Sequence, residues 1–267
     1  MTERPFSFLP SPDGRSASKP RQTGATMMID MGLGPRLLDD HLTVAGPYVD
    51  LAKIFVGSAR LYDEATFAAK VGIYRKHDIG VFIGGQFLEY VITREGYDAA
   101  PAFFEEVTRI GVDCVEVSDN CIEMSDMQRE NLVKMALDAG LEVHGEVGSK
   151  DDVADIGELI RQAEVCLSAG CDVVLFEAAE LVAAGVTNID SIKSIKDAVP
   201  AHQVMIELPG PWIAGVTLND VFEMAKQTLK IFGPDANLGN VAWDQVCLLY
   251  TSPSPRDLST SRMPSSA

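Results

Sequence analysis

Basic residues are scarce in this chain. It carries 22 Lys+Arg against 39 Asp+Glu, a formal net charge of −17. With no basic tract, it is a poor candidate for binding nucleic acid or an anionic membrane. Hydrophobic residues reach 46%, yet no apolar run approaches the roughly 20 residues that span a bilayer. Cysteine is limited to 5 residues. No CxxC pair occurs, which argues against both a disulfide framework and a zinc site. A reducing cytoplasm is therefore the expected location. No GxGxxG follows the first apolar run, which counts against a dinucleotide fold. The 267 residues, with 7% aromatics and 23% charged residues, have globular proportions and suit one large domain or two small ones.

The ends have little pattern. Residues 1–24 are polar, rich in Pro and Ser, and lack the apolar core of a signal peptide; they are expected to be a flexible lead-in. From Cys247 the chain reads CLLYTSPSPRDLSTSRMPSSA. Cys247 to Asp257 matches the in-frame translation of a sequencing-library adapter, so 247–267 is expected to be an artefactual, disordered tail. The fold is then carried by 25–246.

Between the ends, short β-branched runs alternate with helical periodicity. The expected strands are Thr26–Asp30, Val49–Phe55, Val81–Gly84, Cys114–Ser118, Glu142–Val147, Val173–Glu177, Gln203–Glu207 and Ala236–Leu238. The expected helices are Arg36–Ala45, Ala65–Lys76, Pro101–Ile110, Gln128–Ala139, Gly157–Ala169, Ile189–Ala198 and Leu218–Phe232. Glycines such as Gly111, Gly140 and Gly170 follow helix ends, where a left-handed residue is wanted. Strand–helix alternation calls for a parallel sheet covered by helices. Eight strands at this spacing predict an α/β fold of the (β/α)8 TIM-barrel type. An eighth helix would start near Ala242, so the last helix is expected to be missing and an apolar groove exposed.

In such a barrel the chemistry sits at the C-terminal ends of the strands. Nearly every expected strand ends in a polar group: Asp30, Lys53, the Gly84-Gly85 pair, Glu116 with Ser118, His144 with Glu146, Glu177, Glu207, and Asn237-Leu238-Gly239-Asn240. Burying one such carboxylate unpartnered costs several kcal/mol. Several converging make sense around a cation, and oxygen ligands suit Mg2+ better than zinc. The competing reading is that salt bridges to Lys53 and Lys150 close the barrel mouth. Period-two alternation puts Glu142, His144 and Glu146 on one face, with Glu142 lowest. His144 is a candidate proton carrier or a satisfied barrel residue. Cys114, Cys121, Cys166 and Cys171 read as core or helix positions, and His41, His77 and His202 as surface. The Asn237–Asn240 loop can offer backbone N–H groups to a phosphate.

The segments TMMIDMGLGP (Thr26–Pro35), DLAKIFVGS (Asp50–Ser58), FIGGQFLEY (Phe82–Tyr90), VEVSD (Val115–Asp119), EVGSK (Glu146–Lys150) and FGPDANLGNVAWDQV (Phe232–Val246) occur in one order that resembles the phosphosulfolactate synthase family. The resemblance implies a Mg2+-dependent (β/α)8 lyase that adds sulfite to phosphoenolpyruvate, giving (2R)-phospho-3-sulfolactate for coenzyme M biosynthesis. It implies small anionic substrates and a homo-oligomer. Lys150 matches the second lysine of the family phrase EVGKK and is expected to be the acid that protonates C2. Lys53 is expected to clamp an anion. Glu116, Glu146, Glu177 and Glu207 are the expected metal ligands. Asp30, Ser58, Arg60, Ser118, Asn237, Gly239 and Asn240 are the expected substrate contacts.

The chain departs from the family where cations are expected. Met31 stands in place of the lysine of LDKGL, Ser149 in place of the first lysine of EVGKK, and Glu177-Ala178-Ala179-Glu180 in place of the arginine-bearing EGRESG. Three alternatives therefore stand beside sulfite addition: metal-assisted enolate chemistry on another substrate, a non-catalytic stress-associated role, and a Schiff-base aldolase using Lys53.

Overall fold

The computed structural model describes residues 5–6, 8, 15–16, 18–148, 155–183 and 186–250. Eight parallel strands close into a barrel. They are β1 Thr26–Asp30, β2 Leu51–Ile54, β3 Gly80–Ile83, β4 Cys114–Val117, β5 Glu142–Val147, β6 Val173–Phe176, β7 Val204–Glu207 and β8 Leu238–Ala242. Each strand pairs with its sequence neighbours, and β8 closes on β1 through Thr26–Leu238 and Ile29–Ala242. This is the expected (β/α)8 architecture.

The long helices are α1 Pro35–Ala45, α2 Glu64–Lys76, α3 Gly85–Glu95, α4 Ala100–Arg109, α5 Asp126–Asp138, α6 Ile156–Ala169, α7 Ile189–Ala198 and α8 Leu218–Phe232. Local chemistry sets their ends. Pro35 opens α1, where its missing N–H is harmless. Asp63 accepts from the Thr66 N–H at 2.8 Å to cap α2, and Ser125 with Gln128 forms a capping box on α5. Gly170 ends α6 at φ +116°, a conformation costly for any residue with a Cβ.

Two apolar clusters follow from strand alternation. The larger lies between the strands and the helix layer. The smaller fills the lumen with Met27, Phe82, Cys114, Leu175 and Met205. Residues two positions further along β4, β6 and β7 than these lumen groups are Glu116, Glu177 and Glu207, so the next layer up is acidic.

Three local expectations are corrected. α3 was not anticipated; it directly follows β3, which therefore carries two helices. β8 begins at Leu238 and runs to Ala242, later than Ala236–Leu238. Its register with β1 slips between Thr26 and Met28, and Asn240 inside it has φ +53°, so a bulge that resembled a turn lies within the strand. Residues 247–250 are ordered, where disorder was expected. Val246–Leu249 form one helical turn, and the Tyr250 hydroxyl lies 3.1 Å from Thr26 Oγ1, with its ring 4.6 Å from that of Tyr48. Residues 251–267 lie outside the described residues.

The base of the barrel also takes part of the expected lead-in. Arg15 donates to the carbonyls of Ala236 at 2.6 Å and Gly24 at 2.7 Å, and Arg21 pairs with Asp50 at 2.7 Å. Among the described residues, no helix is long and apolar enough to cross a membrane.

Candidate active site

The acidic layer gathers around one lysine. Lys53 Nζ lies 2.9 Å from Glu116 Oε2, 3.3 Å from Glu146 Oε2 and 3.0 Å from Glu207 Oε1. All four residues are buried. One oxygen from each of Glu116, Glu146 and Glu207 lies within 4.8 Å of the others. Neighbouring glycines make the geometry possible. A Cβ on Gly84 would come to 3.1 Å from Lys53 Cε, and one on Gly239 to 3.2 Å from Glu207 Cγ. Side chains there would crowd the ring.

The surrounding shell orients the carboxylates. Asn120 Nδ2 donates to Glu146 Oε1 at 2.7 Å. The Gly85 N–H, in the first turn of α3, donates to Glu116 Oε1 at 2.7 Å, a contact favoured by the positive end of that helix. A Cβ on Gly85 would come within 2.2 Å of Ser118 Oγ, so only glycine fits. Glu89 of α3 accepts from Ser118 Oγ and from the N–H groups of Asn120 at 3.1 Å and Cys121 at 2.7 Å. It thereby holds the loop after β4. Buried Arg129 pairs with Asp119 and donates to the Glu146 carbonyl at 3.2 Å.

The electrostatics are unbalanced. Burial pushes the Glu116 carboxyl well above its ordinary value, and Glu146 adds to this by charge and a shared hydrogen bond. Burial and then Glu146 do the same to Glu207. Burial alone would lower the Lys53 ammonium, but Glu116, Glu146 and Glu207 outweigh it and hold it well above the usual lysine range. Several buried oxygens remain without a hydrogen-bond partner: Glu207 Oε2, Asn120 Oδ1 and Asn240 Oδ1. An all-oxygen set with spare acceptors fits Mg2+, which prefers hard oxygen ligands. One ammonium, with three N–H donors, cannot satisfy them all.

Above the ring lies an aromatic roof. Phe55, just past β2, and Trp212, in the loop after β7, pack with ring centroids 5.3 Å apart. Beneath them is a cavity of about 10 Å³ lined by the ring, Glu177, Asn120 and Asn240 among others. That is room for about one water. Val56 also lines it and has φ +44°, an outlier for a β-branched residue and a place where strain is stored.

The expected site residues divide clearly. Lys53, Glu116, Glu146, Glu177, Glu207 and Asn240 share the cavity wall. Glu177 caps the turn after β6, accepting from the Ala179 N–H at 3.3 Å. Gly239 and Ser118 lie against the ring, each defined by a close approach. Asp30 does not join them. It is an odd number of positions from lumen-facing Met27, so it faces the helix layer, where Lys70 lies 2.6 Å and the Tyr74 hydroxyl 2.7 Å away. Asn237 lies at the opposite, N-terminal end of β8. It bonds the Ala201 and Val204 carbonyls at 3.1 and 2.8 Å, which follows from the later start of that strand. Arg60 is exposed over the Tyr90 ring at 5.7 Å, and Ser58 is half-buried in the turn after β2. His144 lies in the lumen against Phe82, with ring centroids 5.0 Å apart. Both its nitrogens lack partners. Burial, with the Lys53 charge, lowers it to about 4, so it is neutral at physiological pH and carries no described proton path. Lys150 lies outside the described residues. Sequence reasoning missed Glu89, Asn120, Arg129, Phe55 and Trp212. Only Glu89 left a signal, as a charge beside Leu88 on the apolar face of α3.

Comparison with known proteins agrees with this architecture. The profile of the (2R)-phospho-3-sulfolactate synthase family matches residues 14–252. A phosphosulfolactate synthase of Methanothermobacter thermautotrophicus is 30% identical over 257 residues, covering 92% of this chain and 93% of that one. One from Bacillus subtilis is 25% identical, covering 88% and 90%. The protein HEAT-STRESS-ASSOCIATED 32 of Arabidopsis thaliana is also 25% identical, covering 82% of each. Among solved structures, the carboxyl transferase domain of Rhizobium etli pyruvate carboxylase superposes with a TM-score of 0.59 at 10% identity, covering 85% of this chain and 40% of that one. 3-Hexulose-6-phosphate synthase from Salmonella typhimurium gives 0.53 at 14%, covering 88% and 96%. These two share the fold alone. The chain belongs to the (2R)-phospho-3-sulfolactate synthase family.

Proposed function

We propose that this member of the (2R)-phospho-3-sulfolactate synthase family is a C–S bond-forming lyase that adds sulfite to phosphoenolpyruvate. The observation that carries this reading is the convergence of Glu116, Glu146 and Glu207 on Lys53 at the C-terminal end of the barrel. The sulfur lone pair of sulfite attacks C3 of phosphoenolpyruvate. The C2–C3 electron pair moves onto C2 and the carboxylate, and a proton delivered to C2 gives (2R)-phospho-3-sulfolactate. That product suits coenzyme M biosynthesis.

Glu116, Glu146 and Glu207 would hold Mg2+, with Asn240 and Glu177 beside them. Bound there, the ion supplies electrostatic stabilisation for charge building on the substrate carboxylate. Lys53 binds the anionic substrate from below. The Phe55–Trp212 roof excludes water, which strengthens every charge interaction beneath it. Lys150 delivers the proton to C2. Lys53 does not suit a Schiff-base role, because its carboxylate partners keep it protonated and non-nucleophilic.

Lys53 is the one cation among the described residues lining the cavity, and the aromatic roof stands where two anionic substrates would want positive charge. That favours, as the second reading, enolate chemistry on a less anionic substrate. A non-catalytic, stress-associated role would leave the site inert to both.

The test is a coupled assay of phosphoenolpyruvate consumption with sulfite and Mg2+. Sulfite-dependent turnover that a chelator abolishes supports the lyase. Turnover of other enol phosphates without sulfite supports the second reading. No turnover and no divalent-ion binding contradicts both.

A further inference from the structure

We infer that the Lys53 ammonium is an exchangeable counter-ion: it ties the three carboxylates together when no divalent ion is bound, and an entering ion displaces it toward the mouth, where it anchors an anionic substrate. The inference rests on the reading of the ring as a divalent-ion site.

Lys53 contacts one oxygen of each of three different glutamates within 3.3 Å. Those glutamates offer oxygens within 4.8 Å of one another, close enough to share one ion. Mg2+ needs oxygens at about 2.0–2.1 Å, and no ammonium fits between an ion and ligands that close. The two cations must therefore take turns. The ring also offers more acceptors than the lysine uses. Asn240 Oδ1 and Glu207 Oε2, in side chains more than nine-tenths buried, have no partner, and Asn240 lines the cavity beside the ammonium.

The lysine has room to leave. Gly84 places no side chain beside its stem, where a Cβ would come to 3.1 Å from Cε, and the cavity that both residues line has a volume of about 10 Å³, room for one ammonium-sized group. Charge favours the exchange. Three carboxylates with one ammonium sum to −2 when all are ionised. A divalent ion in the ring, with the ammonium kept nearby, brings the sum to zero. Metal and substrate binding are then coupled, because the ion frees the group that holds the anion, and such coupling is reciprocal.

Two measurements test this. The first is calorimetric Mg2+ titration of the wild-type protein and of Lys53→Met. Removing the competitor should tighten Mg2+ binding by about tenfold or more, or roughly 1.4 kcal/mol. Weaker or equal binding by the variant, with wild-type binding intact, overturns the exchange and leaves the metal site standing. No binding by either protein overturns both. The second uses the wild-type chain alone, so the account stays falsifiable if Lys53→Met does not fold. In nitrogen-15 spectra of the lysine ammonium groups, the metal-free protein should show two slowly exchanging signals, from buried Lys53 and Lys70. Mg2+ should shift or release the Lys53 signal and leave the Lys70 signal in place. Two unmoved signals at saturating Mg2+ overturn the exchange.

Discussion

Among the described residues, two lysines are buried beside carboxylates, in opposite kinds of surroundings. Lys70 of α2 meets one carboxylate, Asp30, at 2.6 Å, and also donates to the Leu33 carbonyl and the Tyr62 hydroxyl. Asp30 is otherwise fully used: Tyr74 donates to Oδ2 at 2.7 Å, and the N–H groups of Gly32 and Leu33 donate to Oδ1 at 2.9 Å. That cluster is closed, with charges equal and acceptors occupied. Lys53 faces three carboxylates in a ring with unpartnered oxygens. A closed buried pair fixes structure. An open cluster, with more carboxylates than its lysine can balance, leaves buried acceptors unsatisfied. Burial and a lysine–carboxylate pair are common to both regions; what separates them is the number of carboxylates and whether every oxygen is already satisfied.

The largest expected effect tests the closed side. Asp30→Ala should destabilise the fold by about 3–5 kcal/mol, because it strands a buried ammonium and a hydroxyl. Urea unfolding measures it, and a loss below about 1 kcal/mol would erase the contrast. On the open side, Glu207→Gln should leave metal-free stability unchanged or raise it by about 1 kcal/mol, because one of three repelling carboxylates is neutralised. Glu146→Gln should abolish divalent-ion binding with the fold intact by circular dichroism. Unchanged affinity would remove Glu146 from the ligand set.

The pH response sharpens the same point. Glu116 and Glu207 have folded pKa values raised above their unfolded ones. Their contribution is complete below the unfolded carboxylate value and is lost as pH rises through the folded one. The metal-free protein should therefore lose thermal stability as pH rises through the raised folded values, and saturating Mg2+ should flatten the slope. Lys53, also raised, keeps its contribution up to the ordinary lysine value of 10.5 and beyond. His144, lowered from 6.5 to about 4, acts with the opposite sign, its cost growing only as pH falls below 6.5. The smallest effect follows from that sign. His144→Leu should stabilise the protein by about 1 kcal/mol at acidic pH and by less at neutral pH, since the imidazole no longer has to stay uncharged in the lumen. Melting curves at the two pH values check it.

Much of this was legible in the chain. An apolar run placed β1 to the residue, and in β5 the alternation of Val143, Gly145 and Val147 with Glu142, His144 and Glu146 did the same. Strand ends gave the carboxylates of the ring. Face and register were harder. Asp30 was placed at the mouth because it ends a strand, yet alternation turns it toward the helices. Asn237 was placed there because Gly239-Asn240 resembles a turn, yet the chain runs on through a bulge. α3 was hidden by Gly84-Gly85, which look like a loop; glycine is required at Gly85 by the approach of Ser118 Oγ, a contact between distant segments that local patterning does not carry. Asn120, Arg129 and Trp212 reach the site through such contacts too.

The central claim is that the ring of Glu116, Glu146 and Glu207 is built for a divalent ion. Mn2+ titration followed by electron paramagnetic resonance tests it most directly. The account predicts one bound Mn2+ per chain, displaced by Mg2+ and lost in Glu116→Gln. An unbroken free-ion signal in the wild-type protein, or equal binding by the variant, would contradict it.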